Sequence, residues 1–113
     1  MNKYKNKKAI SEDGEEFSSM KELKYYNMFK KEESEGLIYD LQKQVKFELQ
    51  PKFKVYDKTI RAINYIADFT FYDKDGKYHV IDIKASKKFQ APEYKIKKKL
   101  FAYKYGFEIE EKY

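Results

Sequence analysis

The stretch YIADFTFYDKDGKYHVIDIKAS, two strand-forming runs around a short turn, constrains the fold of this chain more than any other. Asp73 suits the start of a type I turn, and Gly76 suits the left-handed position after it, as in a three-residue hairpin loop with a bulged glycine. This turn pairs Asp73 with Lys77, and counting back along both strands places Asp68 opposite Asp82. A two-residue turn ending at Gly76 is the alternative, and it would send the two aspartates to opposite faces.

Carboxylates inside strands need a physical reason, because Asp has poor strand propensity and a buried charge is costly. Like charges directly opposite each other also destabilise a sheet. A divalent cation between Asp68 and Asp82 would offset this repulsion, and oxygen donors without nitrogen or sulfur suit Mg²⁺ or Mn²⁺ rather than zinc. Lys84, two residues after Asp82, projects from the same face of its strand. The pattern therefore predicts a metal site beside an ammonium group.

The rest of the chain predicts two helices and further strands around this hairpin. A small hairpin is predicted at residues 10–17, and a helix at 18–36 with Ser19 and Glu22 in a capping box and Gly36 at its end. Further predictions are a strand at 44–50, a short strand and a turn near 57–58, a long strand to about 72, a strand at 77–85, a helix from Pro92 to Gly106 and a strand at 107–110.

This element order indicates the fold class and the domain organisation. A helix, a three-strand meander, a helix and a strand are typical of an α/β or α+β sandwich. The length of 113 residues fits one domain with a modest core, predicted here over 9–113 behind a flexible basic tail at 1–8. The absence of cysteine excludes disulfides and thiolate metal sites. No apolar run of membrane length and no signal peptide is visible, so we expect a soluble cytoplasmic protein with no membrane partner.

The charge of the chain favours a polyanionic partner. The formal net charge is +6, and Arg61 is the only arginine. Lysines bind nucleic acid through phosphate contacts and counterion release, whereas readout of bases most often uses arginine. Nucleic-acid binding by this chain would therefore depend on backbone and shape more than on base sequence. A solvated lysine-rich surface without a partner is the alternative.

Glu22 is a candidate third oxygen donor. On a helical wheel it lies near the centre of the apolar stripe formed by Tyr25, Tyr26 and Phe29, so its carboxylate points towards the predicted sheet. The alternative role is structural, because the last residue of a capping box hydrogen-bonds back to the amide of Ser19. One side chain cannot fully serve both purposes.

Ala67-Asp68, followed after thirteen residues by Asp82-Ile83-Lys84, resembles the signature of the PD-(D/E)XK nuclease superfamily, with alanine in place of a frequently variable proline. That superfamily has a restriction-endonuclease-like core of helix, three-strand meander, helix and strand, and an acidic residue on its first helix, where Glu22 stands. More closely, the segments YKNKK, LQPKF, YIADF and YKIKKKLF resemble a family of short uncharacterised phage and prophage proteins regarded as resolvase-like.

The resemblance implies metal-dependent hydrolysis of phosphodiester bonds. Asp68, Asp82 and the backbone carbonyl of Ile83 would hold Mg²⁺ or Mn²⁺, and Glu22 would reach it directly or through water. Lys84 would orient the attacking water and offset charge on the phosphate. The products expected for this superfamily carry 5′-phosphate and 3′-hydroxyl ends.

Several further residues are candidates for the site or for DNA binding. Gln50 ends the predicted first strand of the meander and is a candidate polar contributor, or else a surface glutamine before a proline turn. His79 has the wrong strand parity to join Asp82, so a packed or exposed role is predicted. The predicted nucleic-acid-binding residues are the lysines around the second helix, of which Lys97 or Lys98 would lean over the site: Lys87, Lys88, Lys95, Lys97, Lys98 and Lys99.

Two functions are consistent with these patterns. The first is a Mg²⁺-dependent endonuclease, encoded by a phage or prophage, that cuts branched or recombination intermediates of DNA such as four-way junctions; cutting both strands would require a homodimer. RNA and linear duplex remain open as substrates. The second is a catalytically inactive module that keeps the fold and binds nucleic acid or a protein.

Overall fold

The computed structural model describes residues 9–88 and 90–113, which form an α+β fold, so the predicted fold class is confirmed. The predicted tail at residues 1–8 lies outside the described residues. The helices are α1 (Met20–Ser34) and α2 (Pro92–Tyr105). The strands are β1 (Ala9–Ile10), β2 (Glu16–Phe17), β3 (Ile38–Gln50), β4 (Phe53–Val55), β5 (Lys58–Ile60), β6 (Ile63–Asp73), β7 (Tyr78–Ile83) and β8 (Glu110–Lys112).

A four-stranded mixed sheet with the order β3-β6-β7-β8 forms the centre of the molecule. Strand β6 is antiparallel to both of its neighbours, β3 and β7, whereas β8 is parallel to β7. The core residues of α1 pack on one face of this sheet, and those of α2 pack on the other. Strands β1 and β2 pair with each other, as do β4 and β5.

Helix α1 forms as predicted because both of its ends carry the expected signals. The Ser19 hydroxyl accepts a hydrogen bond from the backbone N–H of Glu22 at 3.1 Å, which satisfies one of the free amides of the first turn. Gly36 follows the helix with φ of 75°, a conformation that glycine adopts without a steric penalty. Tyr26 and Phe29 are buried against the sheet and pack on Phe69.

The β6–β7 turn has the predicted geometry. The backbone N–H of Asp73 donates to the Lys77 carbonyl at 2.9 Å, and the N–H of Gly76 donates to the Asp73 carbonyl at 3.0 Å. Gly76 has φ of 81°, as the bulged position requires. The strands pair Phe69 with Ile81, so the predicted register is confirmed and places Asp68 opposite Asp82 one step further on.

On the other face, α2 begins at Pro92 and ends before Gly106, which has φ of 79°. Its fully buried Phe101 contacts Tyr65 and Phe107 at ring-centroid distances of 5.9 and 5.3 Å. The last strand was predicted at 107–110, but β8 starts only at Glu110. The apolar side chains that produced the prediction instead pack against α2 from the connecting segment.

Strand β3 begins at Ile38, so the predicted start at residue 44 was six residues too late. Asp40 and Gln44 have positive φ values of 56° and 54°, and these kinks interrupt the alternation of apolar and polar residues that a strand normally shows. The apolar side chains of β3 therefore do not stay on one face: Leu41 packs with the α1 core, and Phe47 packs with the α2 core.

The side chains of strand β6 also change faces, at the residues that pair with the kinked part of β3 around Gln44. Phe69 belongs to the core under α1, whereas Ala67 belongs to the core under α2, although both are odd-numbered positions. The ladder pairs Lys43 with Phe69 and Val45 with Ala67, which leaves Gln44 and Asp68 facing each other at the change. Strand β6 thus accommodates Asp68 at the position where its side chains stop alternating regularly between the two cores.

Candidate functional site

Asp68 lies where β6 changes faces and is held by the neighbouring strands. Its carboxylate accepts a hydrogen bond from the backbone N–H of Ile83 at 2.7 Å and another from the side chain of Gln44. Burial raises the pKa of Asp68 to about 6; the bond from Ile83 opposes this rise, and the negative charges of Asp82 and Glu22 add to it. The acids predicted from sequence therefore lie close enough to affect one another electrostatically.

Asp82 is buried, with 8 % of its surface exposed, and both of its carboxylate oxygens have partners. The Tyr65 hydroxyl donates to Oδ2 at 2.7 Å, and the Lys84 ammonium lies 3.1 Å from Oδ1. Burial, followed by the charge of Asp82, raises the pKa of Tyr65 far above its ordinary value, so the hydroxyl remains a donor. The structure thus brings Asp82 and Lys84 together on one face, as predicted.

Lys84 is held over an aromatic ring. Its ammonium nitrogen lies 2.9 Å from the centroid of the Tyr94 ring, on the first turns of α2. This cation–π contact, together with the ion pair to Asp82, keeps the charged end of the side chain at the end of β7. The Lys21 ammonium donates to the Lys84 carbonyl at 3.1 Å and so ties α1 to the same segment.

Glu22 stands beside the acidic pair but is turned towards the helix cap. Its Oε2 accepts hydrogen bonds from the hydroxyls of Ser18 at 2.5 Å and Ser19 at 3.4 Å. Glu22 also lines an open cavity of about 310 Å³ together with Ile83 and Lys84. The cap therefore occupies one oxygen, Oε2, of the carboxylate that the resemblance assigns to a metal.

Within residues 9–88 and 90–113, no group of three or more His, Cys, Asp or Glu side chains is arranged to hold a metal ion. Asp82, which is buried, and Asp68, which is half-buried, do lie at neighbouring positions, and the ligand atoms they offer are carboxylate oxygens. This donor chemistry fits a hard divalent cation such as Mg²⁺, which binds through one or two carboxylates and keeps several waters.

The polar side chain that β3 supplies is Gln44, which the sequence did not single out. Gln50, the candidate from that strand, donates to the Arg61 carbonyl at 3.2 Å instead. Gln44 hydrogen-bonds to Asp68 and, with Glu22, lines a cavity of about 240 Å³. No sequence signal pointed to it, because its position depends on the positive φ that breaks the strand alternation.

The structure separates the predicted DNA-binding lysines into two groups. Lys97 and Lys98 are ion-paired, with Glu93 at 3.0 Å and Glu111 at 2.9 Å. Of these two, Lys97 lines an open groove of about 330 Å³ together with Asp82. The remaining lysines are exposed, on α2 or on the segment after β7: Lys87, Lys88, Lys95 and Lys99.

A hydrogen-bonded network around Glu111 supports the site and was not predicted. Glu111 pairs with Asp82 across the parallel strands and accepts a hydrogen bond from the Tyr94 hydroxyl at 2.7 Å. Burial works to raise the pKa of Glu111, but bonds from Tyr94, Lys98, Tyr113 and Gln90 lower it to about 2. The network fixes the ring on which the Lys84 ammonium rests.

His79 is away from the acidic pair, in agreement with its predicted parity. Its ring stacks on Phe71 in the core beneath α1, at a centroid distance of 5.0 Å. Its two nitrogens contact carboxylates of Asp73, at 2.8 Å, and Glu110. The histidine therefore ties the β6–β7 turn to the edge strand β8.

The fold and the site define an α+β domain in which a half-buried acid in the middle of one strand lies close to a buried acid and a lysine at the end of the neighbouring strand. The chain belongs to the family described as "Protein of unknown function (DUF1064)", whose model matches residues 1–112. No curated protein and no solved structure matches the chain. Among the described residues, no helix is long and apolar enough to cross a membrane.

Proposed function

We propose that this protein is a metal-dependent endonuclease that hydrolyses phosphodiester bonds in DNA. The observation that carries the proposal is the juxtaposition of Asp68, in the middle of β6, with Asp82 and Lys84 at the end of β7. Burying two carboxylates beside each other lowers stability, and the raised pKa of Asp68 reports that cost. Costs of this kind are concentrated at functional sites.

The chain's own residues have separate roles in this proposal. Asp68 and Asp82, with the Ile83 carbonyl, supply the oxygen ligands for Mg²⁺ or Mn²⁺, which when bound would stabilise negative charge on the phosphate and help to generate the nucleophile. Lys84 orients a water towards the phosphorus and offsets charge on the phosphoryl oxygens. Tyr65 holds Asp82 in place through the hydrogen bond to Oδ2.

Exposed lysines favour a nucleic-acid substrate. Lys95 and Lys99 are exposed on α2, and Lys87 and Lys88 are exposed on the segment that follows the end of β7. Lysine supplies phosphate contacts without base specificity, so the substrate is proposed to be recognised by shape, as in branched or recombination intermediates. A homodimer would provide the two sites that cutting both strands requires.

The second candidate is a catalytically inactive module that binds nucleic acid or a protein partner. The hydrogen bonding of Glu22 favours it, because one oxygen of its carboxylate is engaged by the hydroxyls of Ser18 and Ser19. Deciding between the two candidates requires a cleavage assay, not binding alone.

The test is cleavage of a labelled four-way junction, a fork and a matched linear duplex in Mg²⁺ or Mn²⁺. EDTA and the Asp82→Asn variant serve as controls, and Asp75→Asn is the matched variant, because Asp75 lies in the exposed β6–β7 turn. The proposal expects metal-dependent cutting that Asp82→Asn abolishes and Asp75→Asn preserves. Binding of all three substrates without cutting would instead support the inactive module.

Metal binding gives a second readout that does not depend on the substrate. A ligand that binds only the folded state raises stability by RT ln(1 + [L]/Kd). Mg²⁺ or Mn²⁺ should therefore raise the melting temperature of the wild type and of Asp75→Asn, but not of Asp82→Asn. An equal rise in all three proteins would show that the cation binds elsewhere.

A further inference from the structure

The β4–β5 hairpin projects from the body of the protein and has no part in the core. All of residues 51–59 are exposed, and the strands pair only with each other. An isolated two-stranded hairpin is at best marginally stable in water. A segment that contributes no side chain to the core and costs conformational entropy therefore needs a role outside the folded domain.

The two faces of this hairpin differ in chemistry. The register pairs Phe53 with Ile60 and Val55 with Lys58, so these side chains share one face, on which Phe53 and Val55 remain 43 and 47 % exposed. The pair Lys54–Thr59 defines the other face, which by strand alternation also carries Lys52 and Arg61. One face of the ribbon thus carries Phe53, Val55 and Ile60 with a single cation, Lys58, and the other face is cationic without apolar side chains.

The charge of the hairpin is unbalanced. Residues 51–62 contain four cations, Lys52, Lys54, Lys58 and Arg61, against the single acid Asp57. Within the described part of the chain, none of the four cations makes an ion pair. Arg61 is the only arginine of the protein. This concentration of free positive charge is complementary to a phosphate backbone.

Tyr56 at the tip has no structural reason to be an aromatic residue. It is 96 % exposed and its backbone has φ of 56°, a conformation that suits glycine or asparagine and is uncommon for a bulky side chain. Backbone strain of this kind is typically retained at functional positions. A fully exposed tyrosine at the tip of a basic ribbon is suited to stacking on an unpaired base.

The base of the hairpin adjoins the candidate site. The groove that contains Asp82 is also lined by Asn64 and Tyr65, at the start of β6, immediately after the hairpin returns to the main sheet. At roughly 3.3 Å per residue, the four steps from Ile60 back to Tyr56 span at most about 13 Å. A nucleic acid lying in this groove is thus within reach of the hairpin.

We infer that residues 51–62 form a nucleic-acid-binding arm whose cationic face contacts the phosphate backbone and whose tip, Tyr56, stacks on an unpaired base beside a duplex. The inference deepens the proposed function and rests on it in taking nucleic acid as the partner of this site. It assigns the preferred substrate class to nucleic acids that have a duplex next to exposed bases, such as forks and junctions. A two-stranded ribbon has the dimensions to enter a groove of duplex DNA.

The test measures binding in EDTA, so that its result does not depend on hydrolysis. Fluorescence anisotropy gives the Kd of a labelled fork and of a matched duplex for wild type, Tyr56→Gly and, as aromatic control, Tyr39→Ala at the opposite end of β3. Glycine relieves the positive φ, so Tyr56→Gly should melt no lower than wild type. Its Kd for the fork should nevertheless rise about tenfold, in the range of one lost base stack, with a smaller change for the duplex.

The cationic face is tested through the dependence on salt. The double variant Lys54→Gln and Arg61→Gln should lower the slope of log K against log salt by roughly 1–2, because each phosphate contact contributes about 0.9. Lys24→Gln with Lys74→Gln is the matched control, since both lysines are exposed and lie outside the hairpin. The control should leave the slope unchanged.

Three outcomes would overturn the inference. Unchanged fork affinity in Tyr56→Gly removes the stacking role, and an unchanged salt slope removes the phosphate contacts. A change of oligomeric mass without a change in nucleic-acid affinity makes the hairpin a contact between protein copies. If the variants lose binding as expected but wild type cuts nothing in Mg²⁺ or Mn²⁺, the arm stands and the nuclease proposal fails.

Discussion

The carboxylate of Asp68 accepts a hydrogen bond from the backbone N–H of Ile83 at 2.7 Å, one step beyond the last regular pair of β6 and β7. A side chain here replaces a carbonyl as the acceptor for a strand amide. The contact therefore extends the pairing of β6 and β7 by one step and at the same time holds the half-buried carboxylate of Asp68 next to Asp82. Asp68 thus both supports the pairing of the two strands and belongs to the candidate site.

This arrangement predicts an unusual pH dependence of stability. The pKa of Asp68 is raised from 3.8 to about 6 on folding, so the native state binds more protons than the unfolded state between these values. The contribution of Asp68 is therefore lost as the pH rises from about 4 to 6, by up to about 3 kcal/mol in the free energy of unfolding. Urea denaturation without divalent metal, at several pH values, measures it.

The matched variant is Asp68→Asn, which keeps an oxygen acceptor for the Ile83 amide and cannot ionise. It should be more stable than wild type at pH 7 and nearly equal to it at pH 4. Asp75→Asn, in the exposed turn, should follow the wild-type curve. Parallel curves for wild type and Asp68→Asn would contradict the raised pKa.

For Glu111 we expect the opposite pH dependence of the free energy of unfolding, and at lower pH. Its pKa is lowered from 4.5 to about 2, so its stabilisation is complete above pH 4.5 and is lost as the pH falls towards 2. Glu111→Gln should therefore be less stable than wild type at pH 5, and the difference should shrink as the pH falls. Glu108→Gln is the control, because Glu108 is exposed. A constant difference between wild type and Glu111→Gln would assign the effect to packing.

The β6–β7 hairpin was predictable because Asp73 and Gly76 each have a specific role in one turn type, and that turn alone sets the register. Helix α1 was predictable for a similar reason, since Ser19 and Gly36 mark its ends. In both cases a few neighbouring residues determine the backbone, so tertiary contacts were not needed to infer it.

The remaining features depend on interactions between segments. Gln44 reaches Asp68 only because strand β3 changes faces at the positive φ of Gln44. No residue type in β3 predicts that positive φ. The side chain of Glu22 has two possible partners, the serine hydroxyls and the acidic pair, and the helical wheel does not choose between them. Sequence therefore located the acids but did not determine how each is oriented.

For Tyr65 we predict a role in stability that can be measured without an activity assay. Tyr65→Phe keeps the ring among Phe47 and Phe101 but removes the hydroxyl that donates to Asp82 at 2.7 Å. Leaving a buried acceptor without this donor should lower the free energy of unfolding by about 1–3 kcal/mol. Urea denaturation measures the change, and Tyr39→Phe, an exposed tyrosine, is the control. An unchanged stability would mean that water replaces the hydroxyl.

Lys84 gives the sharpest prediction for the proposed reaction. Its ammonium is fixed between Asp82 Oδ1 and the Tyr94 ring, so a shorter or neutral side chain cannot present a charge at the same position. If Lys84 orients the attacking water, Lys84→Met should lower kcat by about 10²-fold or more, the usual scale for losing a transition-state contact. Binding of the fork in EDTA should change little, because one phosphate contact among several is lost.

Lys88→Met is the control for that experiment, since Lys88 is exposed on the segment after β7. It should weaken binding slightly and leave kcat unchanged. Lys84→Arg adds a second distinction, because the planar guanidinium differs in shape from the ammonium that rests 2.9 Å from the ring centroid. A fall in kcat for both Lys84 variants, with stability maintained, would assign Lys84 to the reaction. Equal kcat in Lys84→Met and wild type would instead leave it as a structural partner of Asp82.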